Sequence, residues 1–249
     1  RRSSDLKDGK TNFRPSESAT PVYKFPHRKG DKTIGAVVVY ESPYKTKEGE
    51  VPHNLYLVCH DPYAQSKSVS NESLGAAYVI KRPNNLSKPD DIIVASYVGR
   101  PQTQDEYNRN LFMLAEYYNA KIGFENDRGE LIAYAKRYRK LHKLQEEFEM
   151  LDKRELRSRN VRRQYGMHMT EQRKRQGELY IRDWLITPRH TDADGNTQLN
   201  LHKIYDSALL QELIKFNHKG NFDRVMAFMV GMYHTRELYN REVVEIIDD

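Results

Sequence analysis

Three acidic residues stand where predicted elements of secondary structure end or begin. Asp61 ends a strand-like run in YLVCHDPYAQ, Glu125 ends a second short run, and Asp223 begins a helical pattern. If the two strands lie side by side, both acids project from the same edge of a sheet, and a helix that begins at Asp223 could pack against that edge. Three carboxylates placed together repel one another strongly unless a cation lies among them.

Carboxylate oxygens, with water filling the remaining positions, are ligands that suit Mg²⁺ or Mn²⁺. Two such ions, about 4 Å apart, can activate a water nucleophile and stabilise the leaving oxygen of a phosphodiester. The three acids therefore predict a two-metal hydrolytic site. A structural role remains open for each of them: Asp61 can start a turn, Glu125 can cap the next helix, and Asp223 can be an ordinary first-turn acid.

Positive charge is concentrated in one part of the chain. The net charge is +6, of which residues 134–177 carry +8 and the remainder about −2. Clustered positive charge favours a polyanionic partner, with nucleic acid as the first candidate. The alternative is a solvated helical face with ion pairs inside the segment. The candidate DNA-binding residues are Arg162, Arg163, Arg173, Lys174, Arg175 and Lys219.

Length and composition limit the class of protein. A chain of 249 residues with 38% hydrophobic residues can bury one substantial core. No stretch approaches the roughly 18 apolar residues of a membrane helix, and the first residues contain no apolar signal region, so we expect a soluble, cytoplasmic protein with no membrane partner. Cys59 is the only cysteine, which excludes a disulfide within the chain and a cysteine-based zinc site; we expect it to be a small buried hydrophobe.

The pattern of apolar residues predicts strands first and helices later. Four strands are expected over residues 33–44, 54–62, 73–83 and 91–101, and we expect them to be antiparallel because they follow one another directly. A strand alternates its faces, so His60 is expected to point away from the face that carries Asp61.

A helical period begins after Thr103, and a short strand over 120–126 follows it. After Gly129 a second helical period is expected to continue through Leu141, Leu144, Phe148 and Leu151, either as one long helix or as a broken one. Three later helices are predicted near 180–186, 205–216 and 223–238. The succession indicates a mixed α/β domain over residues 34–249, preceded by a linker or N-terminal arm over residues 1–33.

Four segments, taken in order, resemble the C-terminal nuclease domain of the large terminase subunit of tailed bacteriophages, the DNA-packaging motor. They are VVVYESPY (37–44) before YLVCHDPYA (56–64); IGFENDRG (122–129); YGMHMT (165–170); and LLQELIKF (209–216) before NFDRVMAF (221–228). The resemblance covers about residues 35–238. It implies a ribonuclease H-like mixed sheet of about five or more strands, flanked by helices.

In that family the acids at these places bind the catalytic metals, so the resemblance implies this role for Asp61, Glu125 and Asp223, with Asp61 shared between two divalent ions, Mg²⁺ or Mn²⁺. One departure lies at the last motif. Many relatives read His-Asp-Asp where this chain reads Asn221-Phe222-Asp223. What the missing neighbouring acid contributed to metal affinity is left open.

The implied activity is that of a metal-dependent endonuclease. Such an enzyme cuts concatemeric double-stranded viral DNA, with little sequence specificity, in the cytoplasm of the infected bacterium. The implied partners are DNA, an N-terminal ATPase domain, the portal protein and the small terminase subunit. No G-x-x-x-x-G-K-[ST] motif occurs in the chain, so no ATP hydrolysis is expected from it.

Two alternatives remain open at this point. One is another ribonuclease H-like nuclease, of the resolvase or integrase type, which would prefer branched DNA. The other is a non-catalytic module that keeps the fold and docks onto DNA or the portal.

Overall fold

The structure is a computed structural model, and it describes residues 11, 13–28, 30–63, 73–126, 129–147, 165–217, 219–237 and 243. Arg162 and Arg163, two of the candidate DNA-binding residues, lie outside the described residues. No helix in the described ranges is long and apolar enough to cross a membrane.

The described residues form one large mixed sheet. Its strands are β1 (Ala36–Val39), β2 (Tyr56–Asp61), β3 (Gly75–Lys81), β4 (Ile92–Gly99) and β5 (Lys121–Phe124), and their order is β1-β4-β3-β2-β5. The first four strands pair antiparallel, as expected, whereas β5 runs parallel to β2. Because β2 and β5 are parallel neighbours, their carboxyl ends meet at one edge of the sheet. We call this the carboxyl edge.

Helices cover both faces of the sheet. They are α1 (Gln104–Tyr117), α2 (Glu130–Arg137), α3 (Glu171–Leu185), α4 (Ser207–Lys215) and α5 (Asp223–Glu237). Side-chain caps fix three of the helix starts, because Thr103, Thr170 and Asp206 accept hydrogen bonds from backbone N–H groups in the first turns of α1, α3 and α4.

Each strand in the middle of the sheet contributes to two cores. In β3, Val79 packs with Phe112 of α1 on one face, while Tyr78 and Ile80 pack with Phe228 of α5 on the other. Because both faces are covered, β3 and β4 are buried along their whole length and their sequences lack an alternation of apolar and polar residues.

The expected fold class is confirmed by the order and direction of the strands. The antiparallel run β4-β3-β2 continues into the parallel strand β5, and Leu144 makes a parallel bridge to Ile122 of β5. This arrangement, with helices on both faces, is that of a ribonuclease H-like sheet.

Of the two possibilities for the helical period after Gly129, the described residues show a broken one, and Phe148 and Leu151 lie outside the described residues. Helix α2 ends at Arg137, and Arg139 has a left-handed backbone with φ of 57°. Residues Leu141–Lys143 form a short 3₁₀ turn, after which Leu144 joins the sheet. The spacing of Leu141 and Leu144 resembles that of an α-helix because a 3₁₀ turn also places residues three apart on the same side.

A two-stranded hairpin, β6 (Pro188–Thr191) with β7 (Thr197–Leu199), was not predicted from the sequence. Most of its residues are exposed, so it lacks the apolar alternation by which strands are recognised. The helix that precedes it, α3, begins at Glu171, earlier than expected, because its first two turns are polar and carry no apolar period.

Candidate metal site at the carboxyl edge

Asp61 and Glu125 lie at the ends of adjacent parallel strands, as expected if the two strands are neighbours. Asp61 is the last residue of β2, and Glu125 follows directly after β5. The backbone N–H of Glu125 donates to the carbonyl of His60, at 3.4 Å, so the pairing of the two strands extends to their tips.

Both carboxylates belong to the face of the sheet that α5 covers. A Cβ atom added to Gly231 of α5 would lie 2.8 Å from Cys59 Sγ, and one added to Gly123 of β5 would lie 2.3 Å from the His234 ring of α5. Cys59 and Gly123 each lie two positions before an acid. Since residues two apart on a strand point to the same face, the two acids also point toward α5.

His60 points to the opposite face, as its position beside Asp61 predicts. Its ring stacks on Tyr107 of α1 at 5.4 Å between centroids, and Nδ1 lies 3.0 Å from the carbonyl oxygen of Ala76. Burial lowers the pKa of His60 to about 4, so the ring is neutral at neutral pH. His60 therefore has a structural role on the α1 face.

Asp223 begins α5 and is 8% exposed. The Ser73 hydroxyl donates to Asp223 Oδ1 at 2.8 Å, and Oδ2 accepts from the backbone N–H of Leu74 at 2.8 Å and from Asn221 Nδ2 at 3.3 Å. Burial raises the pKa of Asp223, and the hydrogen bonds from Leu74 and Ser73 oppose that rise. Hydrogen bonds from Ser73 and Leu74 thus hold the Asp223 carboxylate next to the residues just before β3.

Those contacts place Asp223 at the carboxyl edge. Strand β3 begins at Gly75, and its second residue, Ala76, pairs with Asp61. The loop that holds Asp223 therefore ends beside the strand tip that carries Asp61. All three predicted acids lie at one edge of the sheet.

The described residues do not, however, form a closed metal-binding cluster. Within the described ranges, no three His, Cys, Asp or Glu side chains are grouped so that they could hold a metal ion. The donor types and the shared edge suit a hard divalent cation.

A buried ion-pair network orients the start of α5. Glu212 of α4 accepts from the backbone N–H groups of Arg224 at 2.9 Å and Val225 at 3.3 Å, and so caps α5 from outside the helix. The Arg224 side chain, 1% exposed, pairs with Glu212 at 2.9 Å and with Asp206 at 3.4 Å. Burial raises the pKa of Glu212 to about 7, and Arg224 opposes that rise. The LLQELIKF motif therefore holds the residue next to Asp223.

The N-terminal arm packs against the same place. Arg224 Nη2 donates to the carbonyl of Val22 at 2.6 Å. The rings of Phe25 and Phe222 lie 5.7 Å apart, and His27 is near enough for its charge to lower the pKa of Asp223, against the larger effect of burial. Residues of the arm thus lie beside the helix start that carries the third acid.

Phe222 stands where the terminase family that the motifs resemble often carries a second acid. Its ring is buried between Phe25 and Phe216, with centroids at 5.7 Å and 5.3 Å. It is part of the core between the arm, α4 and α5, and it provides no oxygen to a metal.

The YGMHMT segment extends the sheet beyond Glu125. Met167 N–H donates to the carbonyl of Phe124 at 2.8 Å, and Asn126 N–H donates to the carbonyl of Met167 at 2.8 Å. Gly166 has φ of 76°, and a Cβ atom there would lie 2.8 Å from the carbonyl oxygen of Phe124. Glycine is required at this position both for the backbone conformation and for the close approach.

Two of the described candidate DNA-binding residues already interact with other groups of the chain. Arg173 donates to the carbonyl of His168, and Lys174 pairs with Glu171 at 3.4 Å. Arg175 and Lys219 are exposed. Their contact with DNA stays a prediction.

Two other cations of the basic segment have acidic partners outside it. Arg137 pairs with Asp105 at 2.9 Å, and Lys140 pairs with Glu116. These pairs compensate part of the segment's positive charge, but with acids outside the segment and not inside it as the alternative supposed.

Sequence reasoning missed Ser73, Leu74 and Asn221 as partners of Asp223, and Glu212 as the cap of its helix. Ser73 and Asp223 are separated by 150 positions, and no local pattern marks that contact. The Glu of LLQELIKF was part of the quoted motif, but nothing in the sequence assigned its function.

No protein-family model matches the sequence, and no curated protein matches it. Three solved structures of similar shape are the large terminase nuclease from thermophilic phage G20c, with bound zinc, without a named metal, and with bound magnesium. Their TM-scores are 0.49, 0.42 and 0.43, and their identities to this chain are 12%, 13% and 13%. They cover 90%, 90% and 86% of this chain, and the matched parts are 94%, 94% and 92% of theirs.

These likenesses have TM-scores below 0.5 and low identity, so they concern the fold alone. The fold class itself follows from the strand order of this chain.

Proposed function

We propose that this chain is the nuclease domain of a bacteriophage large terminase subunit, a metal-dependent endonuclease that cuts concatemeric double-stranded DNA during genome packaging. The observation that carries the proposal is the meeting of Asp61 and Glu125 at the tips of adjacent parallel strands, with Asp223 at the start of the helix that covers the same face. The order of the four motifs along the chain also supports it.

The three acids would hold two divalent cations, Mg²⁺ or Mn²⁺. Such ions would lower the pKa of a bound water, and their positive charge would stabilise the leaving oxygen of a phosphodiester. Asp61 would be shared, with Glu125 and Asp223 on either side of it. Glu212 and Arg224 would keep Asp223 at the edge, since they fix the first turn of α5.

DNA would be held by its backbone through the basic segment over 134–177 and through Lys219. Binding that neutralises phosphates releases counterions, so the affinity should fall steeply as salt rises. Fluorescence anisotropy of a labelled duplex between low and moderate salt measures this slope. A flat salt response would contradict backbone contact.

The nuclease proposal is tested with supercoiled plasmid, incubated with Mg²⁺, with Mn²⁺ and with EDTA. Wild type should nick and then linearise the plasmid with either metal and not with EDTA. Asp61→Asn, Glu125→Gln and Asp223→Asn should each abolish cleavage.

Asp105→Asn is the matched control. Asp105, like Asp223, is an acid in the first turn of a helix, but it lies on the surface, where it pairs with Arg137. This variant should cleave as wild type does. Cleavage by Asp61→Asn at the wild-type rate, or no cleavage by wild type with either metal, would overturn the proposal.

A non-catalytic docking module is the second candidate function. The bonds that fasten Asp223 to Ser73 and Leu74, and the buried Phe222 in place of a second acid, favour it. It predicts that the chain retards DNA in a gel but does not cut it with either metal. Comparing a linear duplex with a four-way junction in the same assays separates a terminase-type nuclease from a resolvase.

A further inference from the structure

A cluster of aromatic rings lies under the carboxyl edge, on the α1 face of the sheet. Its centre is Tyr107, which is 1% exposed. Its ring stacks on Tyr97 at 4.6 Å between centroids and contacts Tyr63 and His60, each at 5.4 Å. The cluster therefore joins α1 to the strand that carries Asp61.

Gly75 lets the Tyr107 ring approach the backbone at the carboxyl edge. A Cβ atom on Gly75 would lie 2.5 Å from the ring and 2.9 Å from the hydroxyl oxygen of Tyr107. Gly75 is the first residue of β3, next to the pair that Ala76 forms with Asp61. The hydroxyl is thus brought to the strand ends where the predicted acids meet.

Two hydroxyls of this cluster are buried without a hydrogen-bond partner in the described part of the chain, those of Tyr63 and Tyr107. The Tyr97 hydroxyl differs, because Asn110 Nδ2 donates to it at 3.1 Å. A buried polar group without a partner costs about 1–3 kcal/mol, and buried hydroxyls without one are uncommon in folded proteins. Such a group is retained most simply if it gains a partner in the working state.

The surroundings of the two hydroxyls differ. Burial raises the pKa of Tyr107 well above its usual value, and the charges of Asp61 and Asp223 add to the rise. Tyr63 is surrounded instead by the charges of Arg100, Glu106 and Glu130. The Tyr107 hydroxyl therefore lies near the candidate ligands, whereas the Tyr63 hydroxyl lies near other charges.

We propose that Tyr107 is a positioning residue for the candidate metal site: its hydroxyl donates a hydrogen bond to the Asp61 carboxylate when that carboxylate binds a divalent cation. Asp61 is the acceptor because it pairs with Ala76, and Ala76 follows Gly75, against which the Tyr107 ring and hydroxyl lie. A hydrogen bond of this kind fixes which oxygen of the carboxylate faces the metal. The inference deepens the proposed function and depends on it.

The test is Tyr107→Phe, which removes the hydroxyl and keeps the ring. Hydrogen-bond partners of metal ligands change metal affinity about 10–100-fold when they are removed, so Mn²⁺ affinity measured by calorimetry, without DNA, should fall at least about 10-fold. The metal-free protein should melt at the same temperature or higher, since the substitution deletes a hydroxyl that has no partner there. If Tyr107 were purely structural, Tyr107→Phe would lower the melting temperature and leave the Mn²⁺ affinity unchanged.

Tyr63→Phe is the matched control, because its hydroxyl is also buried without a partner but lies near other charges. It should bind Mn²⁺ as wild type does. Unchanged Mn²⁺ affinity in Tyr107→Phe, or an equal loss in both variants, overturns the positioning role and leaves the nuclease proposal standing. If wild type neither binds Mn²⁺ nor cuts DNA, both fall.

Discussion

Gly166 keeps the YGMHMT segment close to the strand that ends at Glu125. The segment can approach β5 only because residue 166 has no side chain and adopts φ of 76°. A larger residue would push Met167 away from Phe124. It would thereby weaken the backbone hydrogen bonds that Met167 makes with Phe124 and Asn126, the two neighbours of Glu125. One glycine thereby positions a candidate metal ligand without touching a metal.

Gly166→Ala should therefore destabilise the folded protein more than the same substitution at a glycine that has a similar backbone conformation but open space around it. Gly195 is such a control, because its φ is 86° and a Cβ atom there would meet nothing within 4 Å. Both variants incur the cost of a left-handed backbone, but only Gly166→Ala also forces a clash, which should add about 1–3 kcal/mol. Urea unfolding of both variants measures the difference. Equal losses would mean that the segment relaxes without cost.

The positions of Asp61 and Glu125 could be predicted because a strand that ends in an acid places it at a known edge of the sheet. The partners of Asp223 could not be predicted. Ser73 and Leu74 are distant in sequence, and their contact with Asp223 exists only after α5 has packed on the sheet. The position of the Tyr107 hydroxyl likewise has no signal in the sequence.

The packing of α5 on β2 is so close that Cys59 should be inert in the folded protein. Its side chain is fully buried, and burial raises the pKa of the thiol to about 12. Because the thiolate is the reactive form, we expect no reaction with DTNB under native conditions and complete reaction in urea. Reaction in native buffer at a rate independent of urea would show that α5 separates from the sheet by itself.

Glu212 joins α4 to α5 and should contribute more to stability than a surface acid. Glu212→Gln leaves Arg224 buried with a weaker partner, and removing one member of a buried ion pair costs about 3–5 kcal/mol. Glu171→Gln, which removes the exposed partner of Lys174, should change stability little. Thermal and urea unfolding of the two variants test the contrast. A small effect in both would show that Arg224 is satisfied by Asp206 and the Val22 carbonyl alone.

The helical elements were predicted best where an apolar period is continuous, as in α1 and α5. The end of α2 was missed, because the backbone reverses at Arg139, a residue with no intrinsic preference for a left-handed conformation. The β6–β7 hairpin was missed because exposed strands need no apolar face. These failures left the expected places of Asp61 and Glu125 at the strand ends unaffected.

At the scale of the whole molecule, the arm and the candidate site form one packed region. Val22 accepts from Arg224, Phe25 packs on Phe222, and Lys215 lies 5.8 Å above the Phe25 ring. The division between an arm over 1–33 and a domain over 34–249 stays a prediction. The contacts indicate that residues 21–27 help to hold the start of α5.

Deletion of residues 1–27 should therefore weaken both stability and cleavage. It removes an acceptor from a buried guanidinium, which costs about 1.5–3 kcal/mol, and it uncovers the Phe222 ring next to Asp223. Deletion of residues 1–10 keeps all of these contacts and is the control. The melting temperature and the rate of Mn²⁺-dependent plasmid nicking should fall only in the longer deletion. If the longer deletion lowers the melting temperature but the plasmid is nicked at the wild-type rate, the arm stabilises α5 without positioning Asp223.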